Sequence, residues 1–134
     1  MPPEASYTEW VRRAQGNLAL ARMVSTGVVL EDLCFEAQQA AEKAIKALLI
    51  FHGRDFPYTH DLATLITVVV DVGISVPQGV GRAPILTRYA LFTRYPGSEP
   101  PVTADEYEDA LLVAETVLDW AVTMIAATGG AAAL

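Results

Sequence analysis

The chain has 134 residues, of which 52% are hydrophobic and 19% are charged, a composition typical of one folded domain. Its single cysteine, Cys34, excludes an intramolecular disulfide and a zinc site built from cysteines. No apolar run approaches the roughly 18 residues of a membrane span, and no signal peptide is visible, so we expect a cytoplasmic protein without a membrane anchor.

The charge is unevenly distributed along the chain. The net charge is −7, and all of it arises in residues 99–134, which contain seven acids and no Lys or Arg. Residues 1–98 contain nine acids and all nine basic residues. Binding to duplex DNA is therefore not expected, because it needs a basic footprint. A compact site for one nucleotide or a short RNA strand stays open, since six basic residues lie between Lys43 and Arg94.

Hydrophobic periodicity predicts five helices and no convincing strand. The first helix is predicted over residues 7–25, with Ser6 and Glu9 as a capping box and with Val24 on its inner stripe. The second is predicted from Leu30 to His52, with Gly53 ending it.

The remaining three helices follow the same pattern. Thr59 is predicted to cap a helix that ends near Val72, although the β-branched run 68–70 leaves a strand as the competing interpretation. A fourth helix is predicted over 84–94, with Pro84 in its first turn, and a fifth over 103–127. We expect a single all-α domain over residues 1–134, an up-and-down bundle of four to five helices with a frayed tail at 128–134.

The second helix has two different faces. Small and apolar residues recur at three- and four-residue steps on one face, namely Ala37, Ala40, Ala41, Ala44, Ile45, Leu48 and Leu49. Gln39, Lys43 and Lys46 recur in the same way on another. This polar row is a candidate binding surface. The alternative is that both lysines are solvated and that Lys46 forms an ordinary surface pair with Glu42.

Two further segments carry residues suited to binding phosphate. His60 lies at a predicted helix start, where backbone N–H groups attract anions, although a solvent-facing His60 is the plainer interpretation. Arg88, Arg94 and Tyr95 lie in or just after the fourth helix. The candidate ligand-binding residues are therefore Lys43, Lys46, His60, Arg88, Arg94 and Tyr95. Two histidines and one cysteine supply no obvious metal site, and no cofactor motif is present.

Taken together, these motifs resemble the HEPN family. The resemblance rests on A-x-Q-A-A-E-K-A-I-K-A-L-L from Ala37 to Leu49, on T-H-D-L from Thr59 and on R-Y-P from Arg94, and it covers roughly residues 7–127. It implies a helical bundle that forms a homodimer and has a link to nucleotides or RNA. It also implies a partner, since many relatives are encoded beside a minimal nucleotidyltransferase, often as toxin–antitoxin or defence pairs.

Other members of the family that this chain resembles are metal-independent ribonucleases. Those members carry an arginine, four to six residues and a histidine late in the bundle, and here no histidine follows His60. Arg54 and His60 have the spacing but lie between the second and third helices, so an accidental match is the plainer interpretation and the sequence favours a protein that is not a ribonuclease. Arg54, His60 and Arg94 are the candidate catalytic residues, with His60 as general acid or base and an arginine holding the phosphate.

Three functions remain open from the sequence. The first is a nucleotide-binding accessory protein in a toxin–antitoxin or defence pair with a nucleotidyltransferase. The second is a metal-independent endoribonuclease. The third is a dimerisation scaffold without a ligand, with Trp10, Phe35, Phe92 and Trp120 as candidate residues of the subunit interface.

Overall fold

The structure, a computed structural model, describes residues 6–91, 97 and 99–130. These residues contain no strand, which confirms the all-α prediction and the helical interpretation of the run 68–70. The five α-helices and one 3₁₀ helix are α1 (Tyr7–Ala21), α2 (Leu30–Phe51), α3 (Leu62–Val72), the 3₁₀ helix (Val80–Leu86), α4 (Thr87–Leu91) and α5 (Ala104–Ala127).

The centre of the bundle is α2, which packs against α1 on one side and α5 on another. Its small residues have no exposed surface and so let the neighbouring helices approach closely. By length and composition α5 could cross a membrane, which the sequence-based expectation did not include. Core helices of folded domains meet the same criteria, and the buried stripe of α5 is Tyr107, Ala110, Val113, Ala114, Val117, Leu118, Ala121 and Ile125.

Glycines end the second and third helices, and Gly53 does so as predicted. Gly53 has φ = 67°, and the N–H groups of Gly53 and Arg54 donate to the carbonyls of Ile50 and Leu49. Gly73, at φ = 96°, ends α3 with the same pattern of hydrogen bonds. Both are Schellman motifs, in which a left-handed residue lets the chain turn back to satisfy the last carbonyls.

The predicted starts of α1 and α3 need correction. Ser6 is the N-cap of α1, but its hydroxyl lies 2.6 Å from that of Thr8 and Glu9 pairs with Arg12, so no capping box forms. The N-cap of α3 is Asp61, not Thr59. Thr59 instead accepts a hydrogen bond from the Asp61 backbone, which organises the turn before the helix.

The fourth helix also differs from its prediction. Pro84 lies inside the 3₁₀ helix, and α4 starts only at Thr87. Proline has no N–H to donate and its ring clashes with an α-helical carbonyl, so the regular α-helix begins after it. Of the predicted fourth helix, residues 92–94 lie outside the described residues.

The first helix is shorter than predicted, and a buried hydrogen bond joins its end to α5. It ends at Ala21 instead of Ser25, which leaves Val24 65% exposed and off the inner stripe. The hydroxyl of Tyr107 on α5 donates to the Ala21 carbonyl at 2.7 Å. This bond satisfies one of the carbonyls that the helix end leaves open.

Replacing Tyr107 by phenylalanine is expected to lower the free energy of unfolding by about 1–2 kcal/mol, because the Ala21 carbonyl stays buried without its donor. Denaturant unfolding followed by circular dichroism measures the change. Tyr58, which is fully exposed, provides the matched control, and Tyr58→Phe should leave stability unchanged. Equal stability of the two variants would contradict a structural role for the Tyr107 hydroxyl.

Candidate functional site

A buried carboxylate lies at the centre of the candidate site. Glu42 on α2 is only 4% exposed. Its Oε2 accepts a hydrogen bond from Lys46 Nζ at 2.8 Å, and its Oε1 accepts one from Gln38 Nε2 at 3.0 Å. His60 Nδ1 lies 2.8 Å from the same Oε1. Glu42 therefore joins two polar side chains of its own helix to the segment that precedes α3.

The charge state of Glu42 follows from these partners. Burial by itself would raise the pKa of this carboxyl, but hydrogen bonds from Lys46, Gln38 and His60 outweigh burial and hold the pKa below its ordinary value. Glu42 is thus ionised at neutral pH. An ionised carboxylate can only accept hydrogen bonds, so His60 Nδ1 carries the proton in this contact.

The orientation of His60 is fixed by this hydrogen bond. In the neutral ring the other nitrogen, Nε2, is the one that can accept a proton. The His60 side chain is 46% exposed, whereas that of Glu42 is 5% exposed. The carboxylate thus holds the ring from the interior while part of the imidazole faces solvent, which is an arrangement suited to proton transfer.

Lys46 is enclosed by the bundle. It is 6% exposed, and its Nζ lies 5.1 Å from the centroid of the Phe56 ring and 5.9 Å from that of Trp10. The two rings meet edge to face at 6.0 Å. Contact with aromatic faces and with Glu42 compensates the cost of burying the ammonium. Its charge is therefore already balanced within the protein.

Lys43, next to Glu42 in the chain, faces α1. Its Nζ donates to Asn17 Oδ1 at 2.7 Å, and Asn17 Nδ2 donates to Glu36 Oε1 at 2.7 Å. Partial burial, followed by the positive charge of Arg13, lowers the pKa of Lys43, while Glu36 and Glu42 act in the opposite direction. A net lowering means that the surroundings disfavour this ammonium, so an incoming anion would improve its environment.

The other predicted residues have separate positions. Arg88 lies on α4, 3.9 Å from Glu106 on α5 and over the ring of Tyr89 at 5.4 Å. Arg54 is exposed just after α2, and among the described residues no hydrogen bond joins its side chain to His60. Arg94 and Tyr95 lie outside the described residues. Of the predicted set, the structure joins Lys46 and His60 through Glu42.

Sequence reasoning missed the interior half of this network. Gln38 has no exposed surface and donates both to Glu42 and to the His60 carbonyl. Glu42 was considered only as the partner of a surface pair, but the pair with Lys46 is buried. A signal was present, because Gln38 and Glu42 lie four residues apart among the alanines of a face predicted to be buried.

The structure also bears on metal binding and on nucleophilic chemistry at Cys34. Within residues 6–91, 97 and 99–130, no group of three His, Cys, Asp or Glu side chains could hold a metal ion. Cys34 is buried in the core, and burial together with the charge of Glu31 raises its pKa to about 12. The thiol is therefore protonated at neutral pH and unsuited to act as a nucleophile.

Comparison of the whole chain with known proteins identifies its family. The sequence-family model of the HEPN domain matches residues 7–125, which is nearly the whole described chain. The chain belongs to the HEPN family. No curated protein matches it significantly.

Two solved structures share the fold of this HEPN protein. The protein TT1696 from Thermus thermophilus is 31% identical, with a TM-score of 0.75 over 86% of this chain and 94% of TT1696. ST0689, an archaeal HEPN homologue, is 26% identical, with a TM-score of 0.72 over 89% of this chain and 97% of ST0689. The chain thus covers nearly the full length of both.

Glu42→Gln is expected to lower the free energy of unfolding at pH 7 by about 3 kcal/mol, because it leaves the Lys46 ammonium buried without a counter-charge. Urea unfolding measures the difference. Glu36→Gln removes a carboxylate one to two turns away that accepts a single bond from Asn17, and should cost less than about 1 kcal/mol. Equal losses in the two variants would contradict the special role of Glu42.

Glu42→Gln should also alter how the free energy of unfolding depends on pH. The folded-state pKa of Glu42 lies below its ordinary value of 4.5, so on acidification the unfolded state binds the proton first. The stabilisation by ionised Glu42 is therefore complete above pH 4.5 and is lost as the pH falls below that value. The Glu42→Gln protein should lose less stability than the wild type between about pH 5 and pH 3. Parallel losses would contradict the assignment.

Proposed function

We propose that this protein is a nucleotide-binding HEPN accessory protein, one component of a toxin–antitoxin or defence pair that acts with a nucleotidyltransferase. The observation that carries the proposal is the half-buried ammonium of Lys43, which is disfavoured by burial and by Arg13 in a protein of net charge −7. A phosphate group beside it would supply the missing negative charge and accept charge-assisted hydrogen bonds.

Exposed side chains on the segment before α3 supply further features of a nucleotide site. His60, on the segment before α3, is 46% exposed and offers a second polar contact. Tyr58 in the same segment is 100% exposed, and an exposed aromatic ring can stack on a base. Lys46 contributes indirectly in this proposal, since its ammonium is bound by Glu42 and its role is to hold the segment in place. Arg94 and Tyr95 are proposed to complete the site.

The proposal includes a homodimer. Support comes from large apolar side chains that are exposed at the end of α1 and in the turn before α2: Met23, Val24, Val28 and Val29, with exposed fractions of 61, 65, 42 and 51%. Contiguous exposed apolar residues are typical of surfaces that another protein covers. Of the aromatic residues expected at an interface, Trp10 packs against Phe56 within the chain.

Lys43→Gln is expected to weaken ATP or GTP binding about tenfold, because one charge-assisted hydrogen bond to phosphate is lost. Isothermal titration calorimetry measures the affinity. Arg82→Gln removes the same charge from the 3₁₀ helix, where Arg82 binds Asp109 of α5, and should leave the affinity unchanged. If neither nucleotide binds the wild type, or if both variants lose affinity equally, the nucleotide site is not where we propose it.

Comparing ATP with inorganic tripolyphosphate distinguishes the contribution of the phosphate contact from that of base stacking. Tyr58→Ala should weaken ATP binding but leave the binding of inorganic tripolyphosphate unchanged, since only ATP offers a base to the ring. Lys43→Gln should weaken both. The substitution of a fully exposed residue is not expected to disturb folding.

A second candidate function is a metal-independent endoribonuclease, favoured by the Glu42–His60 contact. His60 Nε2 would take the proton of an RNA 2′-hydroxyl, whose oxygen attacks the adjacent phosphorus. The bond to the 5′-oxygen then breaks, and that oxygen takes up a proton from water, which leaves a 2′,3′-cyclic phosphate and a 5′-hydroxyl. Arg54 or Arg94 would hold the phosphate.

In EDTA, the wild type is expected to cleave labelled RNA if this second function is correct, and His60→Ala should reduce the rate about a hundredfold or more. Arg54→Ala and Arg94→Ala then show which arginine contributes. His52→Ala removes the other histidine, which is exposed at the end of α2, and is the control. Cleavage by His60→Ala at the rate of the wild type would rule out this mechanism.

A further inference from the structure

A groove lies between α1 and α5. It encloses about 520 Å³, its floor is formed by Leu18, Leu118 and Val122, and its rims carry Gln15 and Arg22 from the α1 side and Asp119 from α5. Arg22 follows Asn17 by five residues, which is a rotation of about 140° around the helix. The groove is therefore on the other flank of α1 from the Asn17–Lys43 contact, and it is separate from the proposed nucleotide site.

A row of acids around one apolar residue runs along α5 beside this groove, and Asp119, at one end of the row, lines the groove itself. Glu108, Leu112, Glu115 and Asp119 follow one another at four-, three- and four-residue steps, so they share one flank of the helix. Leu112 is 58% exposed. Arg22 donates to Glu115 at 3.0 Å, whereas Glu108 and Asp119 form no ion pair within the described residues. No Lys or Arg occurs anywhere on α5.

We propose that this groove binds a cationic amphipathic helix of another protein. Apolar side chains of that helix would cover Leu112 and the floor of the groove, and its Lys or Arg residues would meet Glu108 and Asp119. A second copy of this chain is a poor occupant, because a two-fold contact through this face would set one acidic row against the other. Charge complementarity therefore selects a basic partner, whether or not the nucleotide site proposed above exists.

The probe is a synthetic helical peptide of about 14 residues, ~21 Å long, with leucines on one face and lysines on the other. This length matches α1, which has 15 residues. One control peptide replaces every lysine by glutamate, and another has the same composition in an order that abolishes the apolar face. Fluorescence anisotropy of the labelled peptides measures binding to the full chain at low salt.

We expect the lysine peptide to bind saturably and both control peptides to bind weakly or not at all. Asp119→Lys should weaken binding of the lysine peptide about five- to tenfold by replacing attraction with repulsion. Asp71→Lys makes the same change at an exposed position on α3 and should have less than about a twofold effect. Leu112→Ser should also weaken binding of the lysine peptide. Because Leu112 is largely exposed, this substitution should leave folding intact.

Several results would overturn the proposal. They are the absence of binding by the lysine peptide, equal binding of the scrambled peptide, and equal effects of Asp119→Lys and Asp71→Lys. Light scattering of the wild type and of Asp119→Lys adds an independent test. A dimer that dissociates on this substitution would mean that a second copy occupies the groove.

Discussion

The ionised carboxylate of Glu42, buried between helices, constrains the rest of the candidate site. Removing a charge from water costs several kcal/mol unless it is paired and hydrogen-bonded, and each oxygen of this carboxylate has at least one donor. Two donors come from the same helix, and His60 comes from the segment before α3. The position of that segment therefore depends on a contact at the centre of the bundle.

This constraint also decides which cations remain available to a ligand. Lys46 is neutralised by Glu42 and enclosed by Trp10 and Phe56, so it serves the interior. Lys43 directly follows Glu42 but lies about 100° further around α2. Its ammonium donates a hydrogen bond to Asn17 and is repelled by the positive charge of Arg13. Two lysines three residues apart on one helix thus have different chemical environments.

The two flanks of α1 give the molecule opposite electrostatic faces. One flank meets the partly buried Lys43, and the other borders a groove whose far side, α5, carries acids and no Lys or Arg. Such a distribution suits a protein that has one anionic ligand and one basic partner, in line with the two proposals. Membership of the HEPN family fixes the bundle, but the fold by itself does not distinguish a binding protein from a ribonuclease. The choice between these functions depends on the chemistry of the site.

The amino-acid sequence by itself determined the helices and the family. Periodicity, caps and glycine stops are local, so α2, α3 and α5 have ends within a few residues of their predicted positions. Predictions from local sequence were wrong at Ser6 and Thr59, where the side chain has more than one possible hydrogen-bond partner. They were also wrong at Pro84, which lies inside a 3₁₀ helix and not in the first turn of an α-helix. Only the tertiary structure decided that Glu42 and Lys46 are buried and that His60 reaches them. Helical spacing shows which residues share a face, but burial and pairing depend on which neighbours cover that face, and those contacts join segments distant in the chain.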